Sequence, residues 1–206
     1  GACSAANRMK GGSSMESVES MKSAIDRVER LLAEGRCAFV AIDGPCASGK
    51  TVFAASLHER FGGNVLHMDD FFLRPEQRTP ERFAEPGGNV DRERFEAEVL
   101  KPLAAGKAGR YRPWDCHTGD FATSRSVEPA ALTVVEGSYS MHPALRGYYD
   151  LTMCLIVDPS ERLRRLEARN PRMLQRFIDE WIPLENRYFE STNTQGSADL
   201  LVDTAL

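Results

Sequence analysis

Gly44-Pro45-Cys46-Ala47-Ser48-Gly49-Lys50-Thr51 has the spacing G-x-x-x-x-G-K-[ST], that of a phosphate-binding loop of the Walker A type. Its two flanks decide the fold. Cys37-Ala38-Phe39-Val40-Ala41-Ile42-Asp43 is an apolar run of buried-strand length, and Thr51 to Arg60 (TVFAASLHER) reads as a helix. Strand, glycine-rich turn, helix is the order the chemistry needs. Glycines let the backbone wrap a phosphate, and the loop N–H groups and the helix N-terminus turn partial positive charge toward it. In such a loop Lys50 reaches the β- and γ-phosphates and the Thr51 hydroxyl ligates Mg²⁺. Gly44, Pro45, Cys46, Ala47, Ser48, Gly49, Lys50 and Thr51 are therefore expected to hold a nucleotide. Cys46 reads as a small tolerated residue and not a nucleophile, because the loop acts through its backbone.

Upstream, Val18, Met21, Ile25, Val28, Leu31 and Leu32 recur every three or four residues, which predicts a helix from Met15 ended by Gly35. The small, polar residues 1–14 read as a disordered leader, and 15–206 as a single P-loop domain. Downstream, Gly62-Gly63 turns the chain into a second strand, residues 64–72, whose end carries Asp69 and Asp70. A Pro-, Arg- and Glu-rich loop precedes a helix over residues 91–105, with Pro102 at its fraying end. Two segments flanking Gly119-Asp120 predict a projecting β-hairpin, so that the acceptor-side loop and hairpin span about residues 73–127. A third strand runs over Leu132–Gly137, a fourth over Leu151–Asp158, and a short last one over Leu200–Val202. Between the last two lie an Arg-rich helix, within a lid at about 159–176, and a helix interrupted at Pro183. Strands alternating with helices predict an α/β fold, a P-loop NTPase with three layers and a mostly parallel sheet flanked by helices.

Composition excludes several classes. With 42% hydrophobic and 27% charged residues the chain reads as a soluble globule, and a net charge of −4 gives no basic field for nucleic acid. No apolar run reaches membrane-spanning length and no secretory signal is visible. Five scattered cysteines without a C-x-x-C pair read as reduced thiols. The expectation is a cytoplasmic protein with no nucleic-acid and no membrane partner. Self-association into a homo-oligomer stays open.

In parallel sheets ligands bind beyond the carboxyl ends of the strands. Asp69-Asp70, Glu136 and Asp158 each close a strand, so acids converge where a triphosphate would lie, as a phosphotransferase requires. The motif at 44–51, His-Met-Asp-Asp-Phe-Phe at 67–72, Val-Val-Glu-Gly at 134–137 and the arginines after Asp158 together resemble the uridine kinase and phosphoribulokinase family. The Asp-Asp-Phe-Phe form is also similar to nicotinamide riboside kinase. The resemblance covers roughly residues 37–190. It implies ATP or GTP with Mg²⁺, Asp69 as the base for the acceptor hydroxyl, Glu136 as a Mg²⁺ residue beside Thr51, and Arg162, Arg165 and Arg169 as lid arginines.

The residue types suit those roles. A kinase must set a hydroxyl in line with the γ-phosphate and offer it a carboxylate. Arg162, Arg164, Arg165, Arg169, Arg172 and Arg176 carry forks that fit phosphate oxygens, and Arg165 and Arg169 share a helix face. A solvated face paired with Glu161 and Glu167 is the alternative. On the acceptor side the resemblance implies that Asp91 binds ribose hydroxyls and that Trp114 and His117 contact a base. Asp91 is equally a helix N-cap, Trp114 equally a core residue, and the family's spacing between its Tyr and His is not kept.

The implied reaction is γ-phosphate transfer to a small-molecule hydroxyl, most readily a nucleoside; nicotinamide riboside, pantothenate or a sugar phosphate are alternatives. A nucleotide-dependent regulatory ATPase competes with it, although neither an Asn-Lys-x-Asp nor a Leu-Ser-Gly-Gly motif occurs.

Overall fold

The computed structural model describes residues 18–204. Its strands are β1 (Val18–Ser20), β2 (Ala38–Asp43), β3 (Asn64–His67), β4 (Gly109–Tyr111), β5 (Trp114–Asp115), β6 (Asp120–Phe121), β7 (Arg125–Val127), β8 (Leu132–Glu136), β9 (Leu151–Ile156) and β10 (Leu200–Asp203). Six of them form one parallel sheet in the order β1-β10-β9-β2-β8-β3. The phosphate-loop strand β2 lies centrally, with β8 on one side and β9 on the other. All six residues of β2 are buried, as both faces are covered by helices.

Side chains alternate between two cores. Val40 and Ile42 meet Ala24, Val28, Phe53 and Leu57 from the helices Met21–Leu32 and Lys50–Phe61. Phe39 and Ala41 face the opposite core, with Phe95, Val99 and Tyr188. The predicted three-layer α/β fold is therefore present. The leader read at residues 1–14 lies outside the described residues.

Three local expectations change. Val18, assigned to the first helix by periodicity, belongs to the edge strand β1 and pairs with Leu201; Ser20 then caps the helix by accepting from the Ser23 N–H at 3.2 Å. The second strand stops at His67, and Met68–Phe71 is a 3₁₀ turn, so Asp69 and Asp70 do not alternate across extended backbone. Asp158, expected as a phosphate-facing acid, is exposed and caps the Arg-rich helix Pro159–Arg169, accepting from the N–H groups of Ser160 and Glu161.

Neither proline stops its helix. The helix over residues 92–104 passes through a π turn, Glu96–Leu100, just before Pro102, and that over residues 174–192 through Phe177–Trp181 just before Pro183. A proline removes the N–H that would bond to the carbonyl four residues back, and its ring clashes with that carbonyl. Those carbonyls, on Glu98 and Asp179, sit inside the two π turns, where the ladder widens to make room.

Candidate active site

The loop leaves β2 at Gly44, whose φ is 140°; a Cβ there would lie 2.5 Å from the carbonyl oxygen of Leu155, so no larger residue fits. Asp43, fully buried just before it, accepts from the N–H groups of Gly44 (2.7 Å), Tyr139 (3.1 Å) and Met141 (2.8 Å) and from the Tyr188 hydroxyl (2.7 Å). Burial pushes its carboxyl up while those donors oppose the shift. Tyr139 is held in the left-handed region, φ 77°, which turns its N–H toward Asp43. Asp43 thus ties the loop to the segment after β8. Lys50 Nζ donates to the carbonyls of Gly44 and Pro45, both at 2.8 Å, and so folds over the loop it belongs to.

Glu136 ends β8 beside β2. Its Oε1 accepts from the Thr51 hydroxyl at 3.2 Å and lies 2.5 Å from His67 Nδ1. The Glu136 carboxylate beside it holds the His67 imidazole above its usual range, against some desolvation. Among the described residues no group of three His, Cys, Asp or Glu side chains forms a metal site. Mg²⁺ does not need one: it takes one or two protein oxygens and completes its shell with water and phosphate. Adjacent hydroxyl and carboxylate oxygens on Thr51 and Glu136 fit that pattern.

The 3₁₀ turn separates its two acids by about 120°. Asp70 Oδ2 accepts from the Tyr111 hydroxyl (3.0 Å) and Arg125 Nη1 (2.8 Å), which fastens the turn to the hairpin stem of β4 and β7. Among the described residues Asp69 has no such partner: solvent reaches it, yet protein crowds around its carboxyl. Desolvation raises its pKa, the Glu136 charge adds to the rise, and Lys50 opposes it. Lys50, Glu136 and Asp69 therefore share one cleft at the carboxyl edge of the sheet.

The arginines expected to form a lid divide. Arg162 is buried, pairs with Glu185 and touches Cys46 Sγ at 3.2 Å. Arg165 Nη1 donates to the Ala47 carbonyl at 3.2 Å and its Nε to Glu161 at 2.7 Å. Arg169, expected on the phosphate side beside Arg165, instead lies exposed over the Phe177 ring, 5.8 Å from its centroid. A straight helix carries a residue two turns past Arg162 beyond the loop, where the aromatic ring takes its guanidinium. Burial and the neighbouring Glu185 push the Cys46 thiol up to about 11.

On the acceptor side the hairpin forms, with Trp114 paired to Phe121 across β5 and β6. The rings meet edge to face at 5.2 Å, and β5 packs against the 3₁₀ turn. Asp91 is buried and doubly engaged: Oδ1 caps the helix at the Arg94 N–H (3.1 Å) and Oδ2 accepts from Gln77 Nε2 (2.8 Å). His117 sits at the exposed hairpin tip, where its N–H donates to Asp115 at 2.8 Å; no contact brings it to the cleft.

Sequence reasoning missed Glu185, Ser138 and Tyr188. Glu185 accepts from the Cys46 N–H, 139 residues away in the chain, and no periodicity or motif marks it. Ser138, next to the Val-Val-Glu-Gly segment, donates to both Glu185 (2.6 Å) and the Gly44 carbonyl (3.0 Å).

No family model and no curated protein matches the chain. Solved structures do. A possible uridine kinase from Bacillus stearothermophilus superposes with a TM-score of 0.64 at 21% identity, over 88% of this chain and 100% of that one. A putative fructose transport system kinase from Silicibacter sp. TM1040 gives 0.60 at 19% identity, over 89% and 98%.

Proposed function

The fold is that of the P-loop kinases, and from that premise we propose that this chain transfers the γ-phosphate of ATP to a hydroxyl of a small molecule. One observation carries the reading: Asp69 stands without a partner in the cleft that holds Lys50 and Glu136, while the adjacent Asp70 is tied to Tyr111 and Arg125. An alcohol is a poor nucleophile at neutral pH and gains from a positioned base there. The same carboxylate would serve water in a regulatory ATPase, so dependence on an acceptor is what separates the two.

In this reading Asp69 takes the proton as the acceptor oxygen bonds to the γ-phosphorus and the bond to the β-phosphate oxygen breaks, leaving ADP. The loop amides and Lys50 hold the phosphates, and Arg162 and Arg165 approach them from the lid. Thr51 and Glu136 would hold Mg²⁺, which when bound neutralises charge on the β- and γ-oxygens.

A nucleoside heads the list of acceptors, since Trp114 and Phe121 offer aromatic surface next to the Asp69 turn. The two relatives above bear names that point to different acceptors, a uridine and a fructose system, and so do not choose. With both Asp91 oxygens engaged, recognition of ribose by Asp91 needs Gln77 to yield. ADP release measured across nucleosides, sugars, sugar phosphates and vitamins tests the function. Stimulation by one class establishes the kinase and its acceptor; nucleotide hydrolysis that no acceptor stimulates would favour the regulatory ATPase.

A further inference from the structure

Glu185 is the buried anion of the phosphate loop. Its side chain is 6% exposed, and its carboxylate accepts from the Cys46 N–H (3.0 Å from Oε2), the Ser138 hydroxyl (2.6 Å from Oε1) and Arg162. Two of those donors belong to the machinery assigned above to phosphate: a loop amide and a lid arginine. A phosphate loop presents N–H groups because they attract anions. Here one of them already has an anion, supplied by the chain.

The position of this amide matters. In a loop of this type the lysine serves the β- and γ-phosphates, and the Lys50 ammonium lies on the carbonyls of Gly44 and Pro45, the two residues just before Cys46. The charge of Glu185 also reaches Asp69, the residue proposed to face the acceptor. The Cys46 amide therefore lies on the γ-phosphate side of the loop.

We propose that Glu185 reads the γ-phosphate: its carboxylate holds the Cys46 amide and Arg162 until a nucleoside triphosphate, and not a diphosphate, supplies an oxygen in its place. The inference rests on the kinase reading and adds a basis for telling ATP from ADP. Carboxylate and γ-phosphate cannot share one amide, because two anions at hydrogen-bond spacing repel strongly away from bulk water. The exchange conserves the pairing: the N–H and the guanidinium each trade a carboxylate oxygen for a phosphate oxygen. Glu185 must then withdraw. It stands two residues after Pro183 and just beyond the π turn Phe177–Trp181, where the helix ladder is widened and offers a place to give. A diphosphate ends before this amide and leaves Glu185 in place.

The test is calorimetric titration of a non-hydrolysable ATP analogue and of ADP, each with Mg²⁺, into the full chain and into Glu185→Gln. Gln keeps the size and an oxygen for the Cys46 N–H but removes the competing charge and frees Arg162. Analogue affinity should rise about tenfold or more, since a like-charge juxtaposition is removed, while ADP affinity stays within about twofold. Equal shifts for both nucleotides, or weaker analogue binding, overturn the proposal. Ser138→Ala removes a donor that pins the carboxylate and leaves the pair with Arg162 intact. It should move the analogue-to-ADP ratio the same way, and it decides the matter should Glu185→Gln not fold. If the unaltered chain binds neither nucleotide, the kinase reading falls and this proposal with it. If it binds both and the ratio does not move in either variant, only the role of Glu185 is refuted.

Discussion

Arg125 Nη1 lies 2.8 Å from Asp70 Oδ2, so the second of two adjacent acids is neutralised by the hairpin while the first is left to the cleft. This split predicts unequal mutants. Asp69→Asn should lower turnover by about 10²–10⁴-fold, the usual worth of a general base, with ATP affinity nearly unchanged. Asp70→Asn should cost much less activity and should lower the melting temperature, because Tyr111 and Arg125 lose their anchor. Steady-state kinetics and thermal melts on both variants separate the two.

The same carboxyl should shape the pH profile. Its pKa is raised, so turnover should fall as pH drops through a value above that of an ordinary aspartate, 3.8. The stability effect has the opposite sense from an ion-paired acid. Folding disfavours the charged form, so Asp69 destabilises the fold once pH rises above its folded pKa, and the effect disappears below its unfolded one. Asp69→Asn should therefore melt higher than the unaltered chain at neutral pH and no higher at about pH 3. Equal melting temperatures at both pH values would contradict the raised pKa.

Lys50→Ala should abolish transfer in a protein that still folds. Lys50 donates to two loop carbonyls, which become accessible to water when it is removed, while Asp43 continues to hold the loop through four other hydrogen bonds. Circular dichroism should match that of the unaltered chain. Near-normal turnover in such a folded variant would exclude phosphoryl transfer at this loop.

Glu136→Gln should raise the Mg²⁺ concentration needed for half-maximal rate more than it weakens nucleotide binding. It also removes the carboxylate that raises the His67 pKa, so the His67 imidazole should titrate at lower pH by NMR. An unmoved metal requirement together with a shifted His67 would assign Glu136 a purely structural part.

Arg165→Ala should slow turnover by roughly 10–100-fold, the range of one hydrogen bond to a charged group expressed in rate. Arg169→Ala should do little, because its guanidinium rests on Phe177. Equal losses for both would mean that the lid turns as it closes and brings Arg169 round to the phosphates.

The sheet was legible because β2 and β8 are continuous apolar runs and because the loop motif fixes a strand before it and a helix after it. Val18 was misread because edge strands are short and leave no periodic trace against a helix that begins three residues later. The acid ends of β3 and β8 were legible as chain positions, whereas the turn that distinguishes Asp69 from Asp70 depends on Tyr111 and Arg125, more than 40 residues away. Arg162 was legible as an arginine after Asp158. Its partner Glu185 was not, since a lone glutamate in a helix looks the same whether it meets water or a phosphate loop.

The crowding of Cys46 bears on handling the protein. A thiol attacks electrophiles and oxidants only as thiolate, and at about 11 the Cys46 thiol stays protonated throughout the neutral range. Cys116, exposed in the hairpin, has no such shelter. In a chain with Cys3 and Cys37 replaced by serine, a maleimide dye or spin label added at neutral pH should therefore report from the hairpin and leave the phosphate loop unmodified.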